Sequence, residues 1–245
     1  MRKIKSLIFV SLIFSLTSCL DDIELAINDV ASPTAAEKVN KETDLTSEEA
    51  IENLDLPRLL KESCVTVEGK CSGGSGAFVQ NDLVVTNHHV IWNKRKGKVC
   101  LGITVRNYKG ETSSAEVVKY DPHNDLAILK LNNKIANKSL KINTNLPKVT
   151  DDIWLSGSPR ALDENNELTT FCCNIQPGKI TKIHNDLDKL VMIHNADVTY
   201  GNSGGPVVNL SGHLIGVVSS RNMGTSLNFA VPAKYIKSML EDVKF

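Results

Sequence analysis

From about Leu56 to the end of the sequence, short apolar runs alternate with turns built on Gly, Asn and Asp. Runs this short cannot pack as a helical bundle and instead predict an all-β domain. Strands are expected near Cys64–Val67, Gly76–Val79, Leu83–Thr86, Val99–Arg106, Ala115–Tyr120 and Leu126–Leu131. A polar stretch over Asn132–Lys148 follows. A second set is expected near Ile153–Ser156, Phe171–Ile175, Lys179–Ile183, Lys189–His194, Pro206–Val208, Leu214–Ser219 and Leu227–Val231. Two groups of roughly six strands predict two antiparallel β-barrels, since closure removes exposed sheet edges. Barrel one would cover about 56–131, a linker 132–150, and barrel two with a C-terminal helix 151–245. The helix follows from Tyr235, Ile236, Met239, Leu240 and Val243, which share one face after Pro232.

Three segments of this β-domain carry chemistry. A hydrophobic strand, Leu83-Val84-Val85-Thr86, runs into Asn87-His88-His89-Val90; Asp125 opens the apolar strand Leu126–Leu131; and Ser203 sits in the turn Gly201-Asn202-Ser203-Gly204-Gly205 before Pro206-Val207-Val208. A serine hydroxyl is a poor nucleophile at neutral pH and needs an adjacent base. Histidine titrates near pH 6.5 and suits that task. A carboxylate behind it fixes the imidazole tautomer and stabilises the imidazolium. Glycines around the serine permit a turn that points backbone N–H groups at a developing oxyanion. The oxyanion hole is assigned to the N–H groups of Gly201 and Ser203, with the Asn202 side chain bracing the loop.

Taken together, in the order His, Asp, Ser, these segments resemble the trypsin-like serine proteases, and most nearly the HtrA/Deg branch. Thr86-Asn87-His88-His89-Val90, Asp125-Leu126-Ala127-Ile128-Leu129-Lys130-Leu131 and Gly201-Asn202-Ser203-Gly204-Gly205-Pro206 are similar to its three signatures. Gly74-Ser75-Gly76-Ala77-Phe78 and Asn228-Phe229-Ala230-Val231-Pro232 match as well. The resemblance covers about Cys64 to the C-terminus. It implies a serine endopeptidase of two barrels, with the active site in the cleft between them and no cofactor or metal. It selects His89, directly before Val90, as base rather than His88, and Asp125 rather than Asp121, which is read as a turn residue. A residue six before the nucleophile walls the primary specificity pocket in trypsin-like enzymes. Here it is Asp197, and an acid there would favour a basic substrate side chain by charge pairing; HtrA-like members usually prefer small aliphatic residues. Val218, Ser219 and Ser220 are expected to form the strand that pairs with substrate backbone. HtrA proteins carry a C-terminal PDZ domain, and this sequence ends where it would begin, so a protease domain without one is expected. Two other readings share these residues: an inactive protease-like binding or chaperone module, and an esterase-type hydrolase on the same fold. The intact triad and glycine turn argue against the first.

The N-terminus adds a location. Met1-Arg2-Lys3-Ile4-Lys5 is basic, Ser6–Leu16 is apolar, and Leu16-Thr17-Ser18-Cys19 resembles the lipobox of bacterial lipoproteins. That resemblance implies a signal peptide over 1–18, a lipid on Cys19, and a bacterial envelope protein anchored to a membrane. Residues 19–55, polar and nearly free of aromatics, read as a flexible tether, with a short helix over Ser47–Asn53. Export permits disulfides. The expected pairings set Cys64 against Cys71 across a hairpin and Cys100 against Cys172 or Cys173, with free buried thiols the alternative; the spacings fit no zinc pattern. Twenty-eight basic and 28 acidic residues give a net charge of zero. No basic excess marks a nucleic-acid partner, and the expected partner is a protein or peptide substrate.

Overall fold

The computed structural model describes residues 54–162, 165, 167–186, 189–221 and 227–243. The expected signal segment, Cys19, nearly all of the tether and the helix over Ser47–Asn53 lie outside the described residues.

The β-domain opens with a helix that the strand pattern did not announce, α1 (Leu56–Ser63). Its start is encoded locally. The Asp55 carboxylate accepts from the Arg58 N–H at 3.0 Å, and Pro57 occupies the first turn, where its missing donor costs nothing. Leu59 and Leu60 are its buried face. Six strands then close the first barrel: β1 (Cys64–Glu68), β2 (Gly73–Gln80), β3 (Leu83–Thr86), β4 (Thr104–Arg106), β5 (Thr112–Asp121) and β6 (Leu126–Leu131), in the spatial order β1-β2-β3-β6-β5-β4. The second barrel comprises β7 (Asp152–Gly157), β8 (Asn174–Asp186), β9 (Lys189–His194), β10 (Pro206–Asn209), β11 (Leu214–Arg221) and β12 (Asn228–Pro232), in the order β8-β9-β12-β11-β10-β7. Every pairing in both barrels is antiparallel. Helix α3 (Ala233–Glu241) follows, and a single helical turn, α2 (His88–Ile91), interrupts the first barrel after β3.

Successive strand residues face opposite ways, and this explains why several strands read as continuous apolar runs. Val84, Ala127 and Leu129 fill the interior of barrel one. Their neighbours Leu83, Val85, Leu126 and Ile128 face outward into a second core. There they meet Val208, Leu214, Val217 and Val231 of barrel two, Leu140 of the linker, and Ile236 and Met239 of α3. Strands β3 and β6 are therefore buried on both faces, and the two barrels share a dry seam. Barrel two has its own interior, which includes Leu155, Met192, Val207 and Ala230.

Two strand expectations change. The run Val99–Arg106 is split: Lys98–Val99 pairs with Trp92–Asn93 in a small hairpin, and only Thr104–Arg106 joins the barrel. Gly102 between them has φ +63°, which breaks an extended run. The run Phe171–Ile175 is broken in the same way at Cys173, φ +61°; Leu168–Thr170 pairs with Arg160–Leu162, and β8 begins at Asn174.

The disulfide is Cys71–Cys100, closing a separation of 29 residues. Neither expected pairing forms. In the β1–β2 hairpin Cys64 lies opposite Ala77, with Cys71 out in the connecting turn. Loop-closure entropy for a loop of this size corresponds to about 3.6 kcal/mol. The variant with both Cys71 and Cys100 replaced by Ser is expected to lose stability of that order in urea unfolding under non-reducing conditions.

Candidate active site

The three chemical segments converge on one open cleft of about 750 Å³, lined among others by His89, Asp125, Gly201, Ser203, Ser219 and Ser220. His89 comes from the turn α2 that follows β3, and Asp125 from the turn that opens β6. Because β3 pairs with β6, with Thr86 opposite Ala127, the two residues are brought side by side. His89 Nδ1 lies 2.8 Å from Asp125 Oδ2 and 3.1 Å from Oδ1. The His89 backbone N–H donates to Oδ1 at 3.0 Å, and the Ser219 hydroxyl donates to Oδ2 at 3.0 Å. Asp125 itself has φ +56°, a left-handed conformation that Asp tolerates better than most residues. The Asn87 amide holds it by donating to the Asp125 carbonyl at 2.9 Å. Burial pushes the Asp125 carboxyl up, but the hydrogen bonds and charge of His89, together with the Ser219 hydroxyl, outweigh burial and hold it below the usual carboxylate range. An ionised carboxylate against Nδ1 keeps the proton on that nitrogen and leaves Nε2 free to accept.

Ser203 comes from barrel two, in the turn before β10. Its hydroxyl donates to the Ser219 carbonyl at 3.0 Å. Among the described residues it makes no hydrogen bond with His89, so a side-chain rotation is needed to present it to Nε2. Such looseness is common in sites without substrate. Two glycines shape the turn. Gly201 has φ +102°, and a Cβ there would lie 2.3 Å from the Ser158 carbonyl; Gly204 has φ +89°, with its Cβ position 2.2 Å from the Ser75 carbonyl. Only glycine fits either position. The Gly204 N–H is spent on Val218 and the Gly205 N–H on Asn202. Among the described residues the N–H groups of Gly201 and Ser203 have no acceptor, as an oxyanion hole requires.

Several expectations need revision. Asp197 is exposed and does not line the cleft; Val198, Thr199 and Tyr200 do. That position lends the expected basic preference no support. Val218 is buried, and its N–H and carbonyl are bonded to Gly205 and Gly204. Ser219 and Ser220 do line the cleft, so the edge open to an added strand begins at Ser219. Asn202 braces the loop by packing against Gly157 and through its main chain, which bonds Thr199 and Gly205; among the described residues its buried Oδ1 has no hydrogen-bond partner. Asp121 accepts from the N–H groups of His123 and Asn124 in a tight turn, and the His88 ring stacks at 5.4 Å on Tyr120.

Three contributors were invisible to sequence reasoning: the Ser219 hydroxyl on Asp125, the Asn87 amide, and Ser75. Ser75 Oγ donates to the Gly201 carbonyl at 2.6 Å and accepts from the Ser158 N–H at 2.7 Å, tying β2 of barrel one to both walls of the Ser203 loop. His194, read from sequence as a bland strand-edge residue, is fully buried in barrel two, and among the described residues neither ring nitrogen has a hydrogen-bond partner. Burial lowers its pKa from 6.5 to about 4. Between these values the unfolded chain binds the proton and the folded one does not. Stability is therefore expected to be intact above pH 6.5 and to fall by about 3 kcal/mol as pH drops to 4. Urea midpoints at pH 7 and pH 4 check this, and His194→Leu should remove that part of the slope.

Residues 74–217 match the family model described as a trypsin-like peptidase domain. The mitochondrial serine protease HTRA2 of Drosophila ananassae is 33 % identical over 174 residues, covering 69 % of this chain and 39 % of that protein. The same protein of Drosophila virilis is 35 % identical over 176 residues. The chain thus spans about two-fifths of the length of these curated relatives. Among solved structures, the serine endoprotease from Yersinia pestis superposes with a TM-score of 0.61 at 26 % identity, over 76 % of this chain and 64 % of that one. The Rv3671c protease from M. tuberculosis in its active form gives 0.62 at 23 % identity, over 89 % and 94 %, a likeness of fold.

Proposed function

The chain belongs to the trypsin-like peptidase family, and from that premise we propose that it is a serine endopeptidase using His89, Asp125 and Ser203. The observation that carries the proposal is the meeting of His89 Nδ1 with Asp125 at 2.8 Å, in the same cleft as a serine whose turn presents two unspent N–H groups. An extended peptide would add along Ser219 and Ser220 as an extra strand. Ser203 Oγ leaves the Ser219 carbonyl, gives its proton to His89 Nε2 and attacks the scissile carbonyl. The N–H groups of Gly201 and Ser203 hold the oxyanion, a contribution of roughly 10²–10³ in rate per donor. Collapse returns the proton to the leaving amine and leaves an acyl-enzyme, which water hydrolyses by the same route.

A fluorophosphonate probe tests this directly. The wild type should be labelled on Ser203 and should digest casein. An absence of labelling would leave a binding module, and labelling without proteolysis would leave an esterase-type hydrolase.

The natural setting is proposed from the sequence. The basic start, the apolar run and Leu16-Thr17-Ser18-Cys19 support export, lipidation at Cys19 and anchoring at a bacterial envelope, with residues 20–55 as a leash. Cys19→Ala should move the protein from the membrane pellet to the soluble fraction and abolish incorporation of labelled fatty acid. An unchanged pellet fraction with no lipid label would refute the anchor.

A further inference from the structure

Three cysteines outside the proposed active site meet where the barrels touch. Cys172 is exposed, while Cys173 and Cys64 are buried, and none of the three is in a disulfide. Adjacent side chains of an extended strand point to opposite faces. This pair instead sits in the turn before β8, where the left-handed backbone of Cys173 brings both sulfurs to one side. Cys172 Sγ and Cys173 Sγ are 2.6 Å apart, closer than unbonded sulfurs rest. On the other flank Cys173 Sγ donates to the Cys64 carbonyl at 3.4 Å, so the Cys64 residue lies directly against it. Cys64 begins β1 of barrel one and Cys173 leads into β8 of barrel two.

The surroundings assign different roles to the sulfurs. Contact with the Cys173 sulfur lowers the Cys172 thiol to about 6, helped by the Thr66 and Ser158 hydroxyls and by Arg106 and opposed by burial. The same contact shifts Cys173 up. The accessible sulfur is thus the better nucleophile at neutral pH and also the better leaving group.

We propose that Cys172 and Cys173 form a disulfide-exchange site, with Cys64 as the third sulfur that can move the bond across the barrel interface. The oxidant is a disulfide, small or protein-borne. The Cys172 thiolate attacks one of its sulfurs, forming a mixed disulfide and releasing one thiolate, which takes up a proton. Cys173 loses its proton to solvent and attacks the Cys172 sulfur, displacing the second thiolate, which takes up a proton in turn. Two electrons and two protons have then passed to the oxidant, and a Cys172–Cys173 bond has formed. The Cys64 thiolate next attacks the Cys173 sulfur, and Cys172 departs as a thiolate and is reprotonated. This last step moves no electrons in or out. It exchanges a bond within one turn for one that ties the two barrels covalently.

The test incubates the full chain in oxidised or reduced glutathione, followed by alkylation and peptide mass mapping. It is independent of hydrolysis, so its outcome is separate from that of the proposed activity. In oxidised glutathione the wild type should yield a peptide containing Cys172 and Cys173 that is lighter by two hydrogens and not alkylated, or peptides of Cys64 and Cys173 joined. Cys172→Ser, a change at an exposed position, should yield the joined peptides alone, with a melting temperature several degrees above that of its reduced form. Reduced glutathione should return all three thiols while Cys71–Cys100 persists. Recovery of Cys64, Cys172 and Cys173 fully alkylated after oxidation, or of glutathione on Cys172 as the sole product, would overturn the proposal.

Discussion

Ser203→Ala is expected to lower kcat by about 10⁵- to 10⁶-fold and to abolish fluorophosphonate labelling, with far-UV circular dichroism and thermal midpoint close to wild type. The size follows from the chemistry: a nucleophile acting as one unit with its base cannot be replaced by the remaining members. The small structural effect follows from the position. Ser203 Oγ makes one hydrogen bond, to the Ser219 carbonyl, on a half-exposed wall. The main chain, which receives the Ser75 N–H at 2.7 Å on the Ser203 carbonyl, is untouched by the change. Labelling or proteolysis that survives in this variant would remove Ser203 from its proposed role.

Asp125→Asn is expected to cost about 10⁴ in kcat, through the wrong histidine tautomer rather than a lost contact. Oδ1 accepts the His89 backbone N–H, and an asparagine would keep its oxygen there. Its amide nitrogen would then occupy the Oδ2 position, 2.8 Å from Nδ1, and could only donate. Nδ1 would become an acceptor and the ring proton would move to Nε2, which could no longer take the Ser203 proton. The Ser219 hydroxyl can rotate from donor to acceptor, so the fold should survive. Steady-state kinetics on a peptide substrate, with the imidazole nitrogens followed by NMR, measure both halves; activity within tenfold of wild type would sink the argument.

How much of this was readable in the sequence depends on whether the signal was local. The three chemical segments were legible because each is a short run of constrained types, and β3, β6 and β9 fell where apolar runs begin and end. Asp55 and Pro57 carried an equally local signal for α1 that the strand pattern masked. Ser219 was legible only as a strand residue. Its hydroxyl reaches Asp125 because barrel two docks on barrel one, and no local pattern encodes that. The disulfide was missed for a related reason. Cys64 and Cys71 looked like hairpin partners, but pairing of Cys64 with Ala77 places Cys71 in the turn, facing Cys100. Asp197 was reached by counting residues from Ser203, which fixes chain distance and not which side of a loop faces the cleft.

The apolar seam between the barrels has a practical consequence. His89 and Asp125 sit on one half of the domain and Ser203 on the other, so neither half expressed alone would hold the proposed set. Turnover thereby becomes a gauge of docking. A substitution such as Ile128→Ala or Val217→Ala, remote from the cleft, would loosen the halves and silence hydrolysis at denaturant concentrations where the β-sheet signal is still intact.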